Sequence, residues 1–252
     1  MEENNQKKAS STGRRSTKEW KKLVAEFQKP DLRRALWQLT NTLLPVLGIW
    51  IGLYFLKDFS LWLCIPPAML AGLFLIRAFI IFHDCGHGSF FKSKKANDAL
   101  GFFTGMLTFT PYHHWKWEHA MHHATNGDLD RRGIGDVWTL TVEEYLTSSR
   151  WIKLSYRFLR NPFVLFLIAP LFLFFVLERI PSSKAKPREK RSVYLMNFAL
   201  LLWSVAMSMI YGFVPWLVIQ VAMMAVAGGC GIWLFYVQHQ FEDTYWAQGK
   251  DW

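Results

Sequence analysis

Cysteine is scarce in this sequence, and the cysteines that occur lie far apart. Only three are found among 252 residues, Cys64, Cys85 and Cys230, each in or next to an apolar segment. They form neither a disulfide framework nor a C-x-x-C metal-binding pair. The glycine-rich phosphate-binding loops G-x-x-x-x-G-K-[ST] and G-x-G-x-x-G are also missing. These absences argue against a disulfide-rich secreted domain, an iron–sulfur protein and a nucleotide-binding enzyme.

Acidic residues are outnumbered by basic ones, 19 to 29, which leaves a formal net charge of +10. Much of the excess lies in residues 1–34, a polar segment without the apolar core of a secretory signal peptide. We interpret this segment as a basic cytoplasmic tail, disordered up to about Thr17. A nucleic-acid-binding arm is the alternative for such charges. Because an apolar segment follows at once, we expect anionic lipid headgroups as the partner and no nucleic acid.

Long apolar runs dominate the remainder of the chain. Hydrophobic residues make up 52% of the sequence and aromatic residues 17%. A helix needs about 20 apolar residues to cross a bilayer, and four runs qualify: Leu36–Phe55, Leu61–Phe82, Val193–Phe213 and Val214–Val237. Two shorter apolar segments, Ala99–Tyr112 and Pro162–Leu177, are predicted to lie in the membrane interface or to re-enter it. The sequence thus predicts an all-α integral membrane protein with four transmembrane helices in two hairpins.

Seven of the eight histidines are concentrated between residues 81 and 138. Five of them form two groups at helical spacing: His83 and His87, then His119, His122 and His123. Residues three or four apart share a helix face, whereas the adjacent His122 and His123 diverge by about 100°. An H-x-x-H-H triplet can therefore serve two neighbouring metal ions. Imidazole ligands without nearby cysteine suit iron, zinc or copper; the alternative is a set of polar histidines at a membrane surface.

Topology adds a sixth candidate ligand. Ligands of one site must meet on one side of the membrane, so an even number of crossings has to separate His83, His119 and His239. Four spans satisfy this condition and put every histidine cluster and both termini on the same side. The basic residues around the shorter segments assign that side to the cytoplasm by the positive-inside tendency. His239 directly follows the last apolar run, although a lone histidine there is more often a simple interfacial residue.

Other residues near the histidines have supporting roles in this interpretation. Ligand imidazoles normally donate their second ring nitrogen to a carboxylate or a carbonyl. The local carboxylates are Asp84, Glu118, Asp128, Asp130 and Asp136. Trp115, Trp117 and Trp138 are interpreted as anchors at the level of the lipid headgroups. Gly228 and Gly229, with Gly231, lie near the end of the last span and favour close helix packing over a lining for a substrate channel.

Two stretches resemble the first two histidine boxes of the membrane fatty acid desaturases. They are HDCGHGSF, which is His83–Phe90, and WKWEHAMHHATN, which is Trp115–Asn126. The similarity is to the bacterial acyl-lipid branch, near its Δ12/ω-6 and Δ5 groups. It extends to Gly127–Tyr145 and to the segment Gln238–Asp243 around His239. In all it covers the chain from about Leu36 to Trp252.

This resemblance implies a non-haem di-iron centre. With O2 and two electrons from an external donor of ferredoxin or flavodoxin type, such a centre removes two hydrogens from an acyl chain of a membrane phospholipid, leaving a cis double bond and two waters. Residues 35–252 would form the membrane desaturase domain of a multi-pass plasma-membrane protein. His113 and His114 fall where the family tolerates other residues. Carried over box by box, the iron ligands would be His83, His87, His119, His122, His123 and His239.

The sequence departs from the family at its end. A third histidine box, another H-x-x-H-H, is expected beyond the fourth span, and none occurs between His239 and Trp252. Six ligands are fewer than the family uses. We therefore expect a C-terminally incomplete domain with impaired activity alone, unless a missing C-terminal segment or a second polypeptide completes the site. Two alternatives stay open: a related di-iron hydroxylase or ketolase, and a non-catalytic membrane metal-binding protein.

Overall fold

The computed structural model describes residues 22–25, 29–133, 135, 137–239 and 244–249. These residues form helices and turns, and the β-type pairing among them is an isolated bridge between Asp128 and Ala247. The predicted basic tail lies largely outside this range. The main elements are α1 (Leu32–Leu56), α2 (Leu61–His87), α3 (Lys94–Leu107), α4 (Tyr112–Thr125), α5 (Val142–Thr147), α6 (Arg150–Leu159), a π-helical turn (Val164–Ile168), α7 (Ala169–Phe175), a 3-10 turn (Leu177–Arg179), α8 (Pro187–Tyr211) and α9 (Phe213–His239).

Helices α1, α2, α8 and α9 are 25 to 27 residues long and apolar enough to cross a membrane. At 1.5 Å per residue they reach about 38–40 Å, which covers the hydrocarbon core of a bilayer and part of its headgroup layers. The prediction of an all-α membrane protein with four such helices is confirmed. Several helices run further than the predicted spans; in particular, α2 continues to His87 and α9 to His239. Both therefore carry candidate ligands on their last turns.

The long helices pair as the two predicted hairpins. A turn over Lys57–Ser60 joins α1 to α2, and Gly212 alone, with a φ of 86°, joins α8 to α9. Helices α2 and α9 approach each other closely at Gly72, where a Cβ atom would lie 2.6 Å from the carbonyl oxygen of Met223. The largest buried hydrophobic cluster lies mainly among these four helices and also includes Leu107 at the end of α3 and Phe109 just after it. The hairpins are thereby held as one bundle.

Arg77 is the single charged residue in the apolar part of α2. Its Nε donates to the hydroxyl of Thr42 at 3.3 Å, and its guanidinium also bonds the side-chain oxygen of Asn41. Both partners are on α1, inside the first hairpin. A charged side chain within a membrane helix is tolerated when polar groups of neighbouring helices satisfy it. These contacts explain how an arginine fits in a spanning segment.

The first short apolar segment folds back instead of crossing. Helix α3 has 14 residues, about 21 Å, and is too short for a bilayer. It begins at Ser93, whose hydroxyl accepts from the N–H of Ala96 at 3.3 Å. It ends in a reversal in which Phe109 adopts a φ of 57° and the N–H of Thr110 bonds the carbonyl of Gly105 at 2.7 Å. The chain then returns directly into α4, in agreement with the predicted re-entrant segment.

The second short segment is bent and packs against α9. Helix α6 and the helical stretch Val164–Arg179 meet at 64°. A Cβ atom on Gly229 would lie 2.4 Å from the carbonyl oxygen of Phe166, and one on Gly228 would lie 2.8 Å from Pro170. Gly228 and Gly229 therefore permit the predicted close helix packing, whereas a Cβ atom on Gly231 would meet nothing within 4 Å, so the prediction is wrong for Gly231. By length the bent pair could form a broken fifth crossing, but the basic residues along α6 favour the interfacial interpretation.

Candidate metal centre

Three helices bring the six candidate histidines together at one end of the bundle. The last two turns of α2 carry His83 and His87 on the same face. Gly88 closes that helix in the left-handed conformation, with a φ of 73°, so the chain leaves immediately after the second histidine. The remaining candidates are on the other two helices: His119, His122 and His123 on α4, and His239 at the end of α9.

Four of the histidines form a quartet, which comprises His83, His87, His119 and His123. Each contributes one ring nitrogen, and these four nitrogens all lie within 4.8 Å of one another. The Nε2 atom of His119 is central: it lies 3.0 Å from that of His83, 3.1 Å from that of His87 and 3.0 Å from that of His123. One N–H can donate to only one of these three neighbours. Converging lone pairs of this kind suit a shared cation.

The other two histidines form a separate pair. The Nε2 atoms of His122 and His239 lie 2.9 Å apart, although 117 residues separate them in the chain. His239 Nδ1 lies 2.7 Å from the carbonyl oxygen of Phe235 and donates to it. This bond fixes the tautomer, so the lone pair of Nε2 points toward His122. The pair therefore offers two nitrogens beside the quartet.

The distances within both groups fit metal coordination. Metal–imidazole bonds of about 2.1 Å separate two nitrogens on one ion by roughly 2.9–3.4 Å. The quartet, with neighbours at 3.0 to 3.2 Å, falls in this range. The donor set is nitrogen alone, which suits iron, zinc or copper. The residues present therefore fit metal ions of this kind.

The protonation state of the site also favours metal binding. Burial, together with the neighbouring imidazoles of His83, His123 and His87, lowers the pKa of His119 to about 3. Burial and the neighbouring His122 likewise lower the pKa of His123. Both rings are therefore neutral at physiological pH, which is the form that binds metals.

An aromatic ring stacks on one histidine of each group. Trp115 stacks on His119 with ring centroids 4.3 Å apart and planes 15° apart, and its ring also lies 5.7 Å from that of His83. Room for the indole comes from Gly86, where a Cβ atom would lie 2.9 Å from it. Trp115 thus bridges α2 and α4. Its predicted anchoring in the headgroup layer stays a prediction, and the structure adds the contacts of its ring with two helices of the protein.

Phe235 stacks on a histidine of the pair as Trp115 does on a histidine of the quartet. Its ring stacks on His239 at 4.2 Å and lies 5.3 Å from His122. Sequence reasoning did not identify either aromatic residue as part of the site. A signal was present, since Trp115 precedes His119 by four residues and Phe235 precedes His239 by four. That spacing puts each aromatic ring one helical turn before a histidine.

The predicted supporting carboxylates have different locations. Asp84 lies 3.2 Å from Nδ1 of His83 and holds that ring. Asp128 and Asp130 organise a loop instead: Asp128 binds Arg131, and Asp130 accepts from the N–H of Gly249 at 2.9 Å. They tie the segment after α9 to the loop after α4. Asp136 lies outside the described residues.

Glu118 faces away from the quartet and toward a histidine that is not a candidate ligand. Its carboxylate lies 3.5 Å from Nδ1 of His114. Burial raises the pKa of Glu118 to about 7 and lowers the pKa of His114, so the contact joins weakly charged groups. The other ring nitrogen of His114 accepts from the N–H of Ser182 at 3.1 Å, and His113 meets Arg188 at 3.3 Å. Both histidines therefore brace α4 against the segment around α8.

Fold and site together define an all-α membrane protein with clustered histidines at one end of its long helices. The sequence profile of the fatty acid desaturases matches residues 60–251. The chain belongs to the fatty acid desaturase family.

Individual relatives agree with this assignment. A fatty acid desaturase of Bacillus subtilis is 43% identical over 235 residues, which is 93% of this chain and 67% of that protein. An sn-1 acyl-lipid omega-3 desaturase (ferredoxin) of Synechocystis is 26% identical over 81% of this chain and 58% of its own length. An sn-1 oleoyl-lipid 12-desaturase of the same organism is 34% identical over 40% of this chain and 29% of its own length. The chain thus spans about two thirds or less of these curated relatives.

Proposed function

We propose that this chain is an acyl-lipid desaturase scaffold that supports O2-dependent insertion of a cis double bond into a membrane-lipid acyl chain. The observation that carries the proposal is the convergence of the four quartet nitrogens within 4.8 Å, in a chain of the fatty acid desaturase family. The acyl-lipid substrate class comes from relatives whose names specify acyl-lipid or oleoyl-lipid desaturation.

The proposed ligands are the six histidines of the quartet and the pair. The quartet would hold one iron ion, and His122 with His239 would contribute to a second. When bound, a di-iron centre supplies O2 activation, so that an acyl CH2–CH2 unit, O2, two electrons and two protons give a CH=CH unit and two waters.

The protein's own groups orient this site. Asp84 and the carbonyl of Phe235 hold the Nδ1 side of His83 and His239, which leaves the Nε2 side for the metal. Trp115 and Phe235 cover the rings of His119 and His239 and keep water from that side. Because α2 and α9 are candidate spanning helices, the site lies where acyl chains of the bilayer can reach it. This placement supports a substrate that enters from the membrane.

The second ion lacks a full set of ligands from the described residues. Two nitrogens from the pair leave most of its coordination positions open. We therefore propose that a C-terminal segment or a second polypeptide supplies the other ligands, and that activity without it is impaired.

Orientation and electron supply are parts of the same proposal. Both termini and the histidine groups would face the cytoplasm from a multi-pass protein of the plasma membrane. A ferredoxin- or flavodoxin-type protein would donate the electrons, and the names of two relatives include ferredoxin. The basic balance of 29 lysines and arginines against 19 acidic residues favours an acidic donor.

Lipid profiling tests the function directly. The chain is expressed with and without a homologous C-terminal segment, and membrane fatty acids are analysed by mass spectrometry. We expect new cis double bonds in phospholipid acyl chains when the segment is supplied, and their loss when His119 is replaced by alanine. Hydroxyl or keto products would instead indicate a hydroxylase or ketolase.

The incompleteness of the site has its own test. Bound metal with unchanged lipids, even with the segment supplied, would indicate a non-catalytic metal-binding protein. Close to two irons per chain with turnover by the purified chain alone would overturn the proposal that ligands are missing.

A further inference from the structure

Helix α6 separates its side chains into an apolar and a basic face. At 100° per residue, Trp151, Leu154 and Phe158 fall on one face together with Ser155. The three apolar side chains are strongly exposed: Trp151 at 65%, and Leu154 and Phe158 at 58% each. Arg150, Lys153, Arg157 and Arg160 lie along the other face. This apolar surface plays no part in the metal site, so its exposure needs a separate explanation.

Contacts with the rest of the chain fix which way α6 faces. Nζ of Lys153 donates to the carbonyl of Leu146 at 2.8 Å, and Nε of Arg157 donates to the hydroxyl of Tyr145 at 2.6 Å. Both partners belong to α5, so the side of the helix that carries Lys153 and Arg157 is turned toward α5, while Arg150 at the start of the helix is exposed. The apolar face is consequently turned outward.

The end of α6 is joined to the helical bundle. Arg160 donates to the carbonyl of Trp138 at 2.8 Å and to the hydroxyl of Tyr236 on α9 at 3.4 Å. The chain then bends by 64° into the apolar stretch beside α9, where Phe163 and Phe172 are 63% and 52% exposed. The apolar face of α6 is therefore continuous with the outer apolar surface of the bundle.

We propose that α6 is an in-plane membrane-surface helix: lipid acyl chains cover its apolar face, and Arg150, which is exposed beside that face, binds anionic phospholipid headgroups. An amphipathic helix with basic residues beside its apolar face is typical of such binding. A position across the hydrocarbon core is disfavoured, because basic residues recur along its whole length. The proposal does not depend on desaturation.

Spin labelling of the full chain measures the depth of α6. Ser155, exposed on the apolar face, is replaced by cysteine, labelled with a nitroxide, and the protein is reconstituted in vesicles of phosphatidylcholine and phosphatidylglycerol. We expect oxygen, which concentrates in lipid, to relax the label severalfold more than a water-soluble nickel chelate. Thr147→Cys, on exposed α5, serves as the matched control and should show the reverse order. Cys230 is replaced by alanine, and the parent chain corrects for any label on the buried Cys64 and Cys85.

The headgroup contact is tested by lipid composition and by charge. Removing phosphatidylglycerol, or introducing Arg150→Gln or Arg150→Glu, should shift the label at position 155 toward the nickel chelate. A basic residue near an anionic surface changes the inserted-to-exposed ratio by roughly fivefold. Serine and cysteine differ by one atom, so folding is expected to be retained, and Phe158→Cys repeats the measurement on the same face.

Each other outcome overturns part or all of the proposal. Greater access of nickel than of oxygen at position 155 would place α6 off the membrane. Low access of both reagents would indicate a protein partner or a second copy over the apolar face. A depth unaffected by phosphatidylglycerol and by the charge variants would refute headgroup binding.

Discussion

The quartet and the pair are assembled in different ways, although they lie side by side. The quartet uses two histidines from each of two helices, so helical spacing alone aligns the partners within each helix. The pair takes His122 from α4 and His239 from α9, at a sequence separation of 117 residues. Its geometry therefore depends on long-range packing. The quartet depends on the packing of α2 against α4, and the pair on the packing of α4 against α9, so we expect changes in α9 to disturb the pair first.

Removal of a quartet nitrogen should have the largest effect. His119→Ala deletes the atom that lies about equally close to three neighbours. We expect cobalt(II) affinity at the quartet to fall by more than about 100-fold, since even outer partners of metal ligands contribute about 10–100-fold. Cobalt absorption under chelator competition measures it. His239→Ala is the comparison and should leave quartet binding within a few fold; equal losses in both variants would mean that the groups are not separate.

A packing change in α9 should disturb the pair selectively. Gly229→Ala would place a Cβ atom 2.4 Å from the carbonyl oxygen of Phe166 and should cost about 1–3 kcal/mol, as overpacking usually does. We expect lower thermal stability in detergent and loss of the cobalt signal from the pair, with the quartet signal retained.

The matched control lies two residues away. A Cβ atom on Gly231 would meet nothing within 4 Å, so Gly231→Ala should leave stability and both signals unchanged. If the Gly229 and Gly231 variants behave alike, close packing of α9 against α7 and its preceding turn does not position the pair.

The smallest effect is expected from the stacked aromatic rings. Trp115→Leu keeps an apolar side chain but removes the stack on His119, and Phe235→Leu does the same for His239. Each should weaken cobalt binding about tenfold at its own group and shift the cobalt absorption bands there. Weakening at the opposite group, or none at either, would contradict the assigned positions.

Sequence periodicity predicted the features that depend on neighbouring turns. The spans and the common face of His83 and His87 followed from apolar run length and from i, i+4 spacing. The division into a quartet and a pair could not be predicted, because it depends on how α2, α4 and α9 pack. The stack of Trp115 on His119 could not be predicted for the same reason: aromatic residues near a membrane surface suggest anchoring, and only packing shows one stacked on a histidine.

Carboxylates were equally hard to place from sequence. Asp84 and Asp130 both lie in histidine-rich surroundings, yet only the former contacts a candidate ligand, while the latter binds Gly249. An aspartate side chain is short, so it contacts only groups that the backbone brings close to it. The conformation of the loop determines which groups these are. Proximity in sequence was therefore a poor guide for these residues.

The location of the quartet within the first 125 residues has a consequence for biogenesis. A ribosome releases α1 to α4 before it has made the second hairpin. All four histidines of the quartet are then present, so under the proposed function a nascent chain would have the ligands of its first metal ion while α8 and α9 are still unsynthesised. The pair must await the end of α9, and the two halves of the proposed centre would then be completed at different moments of translation.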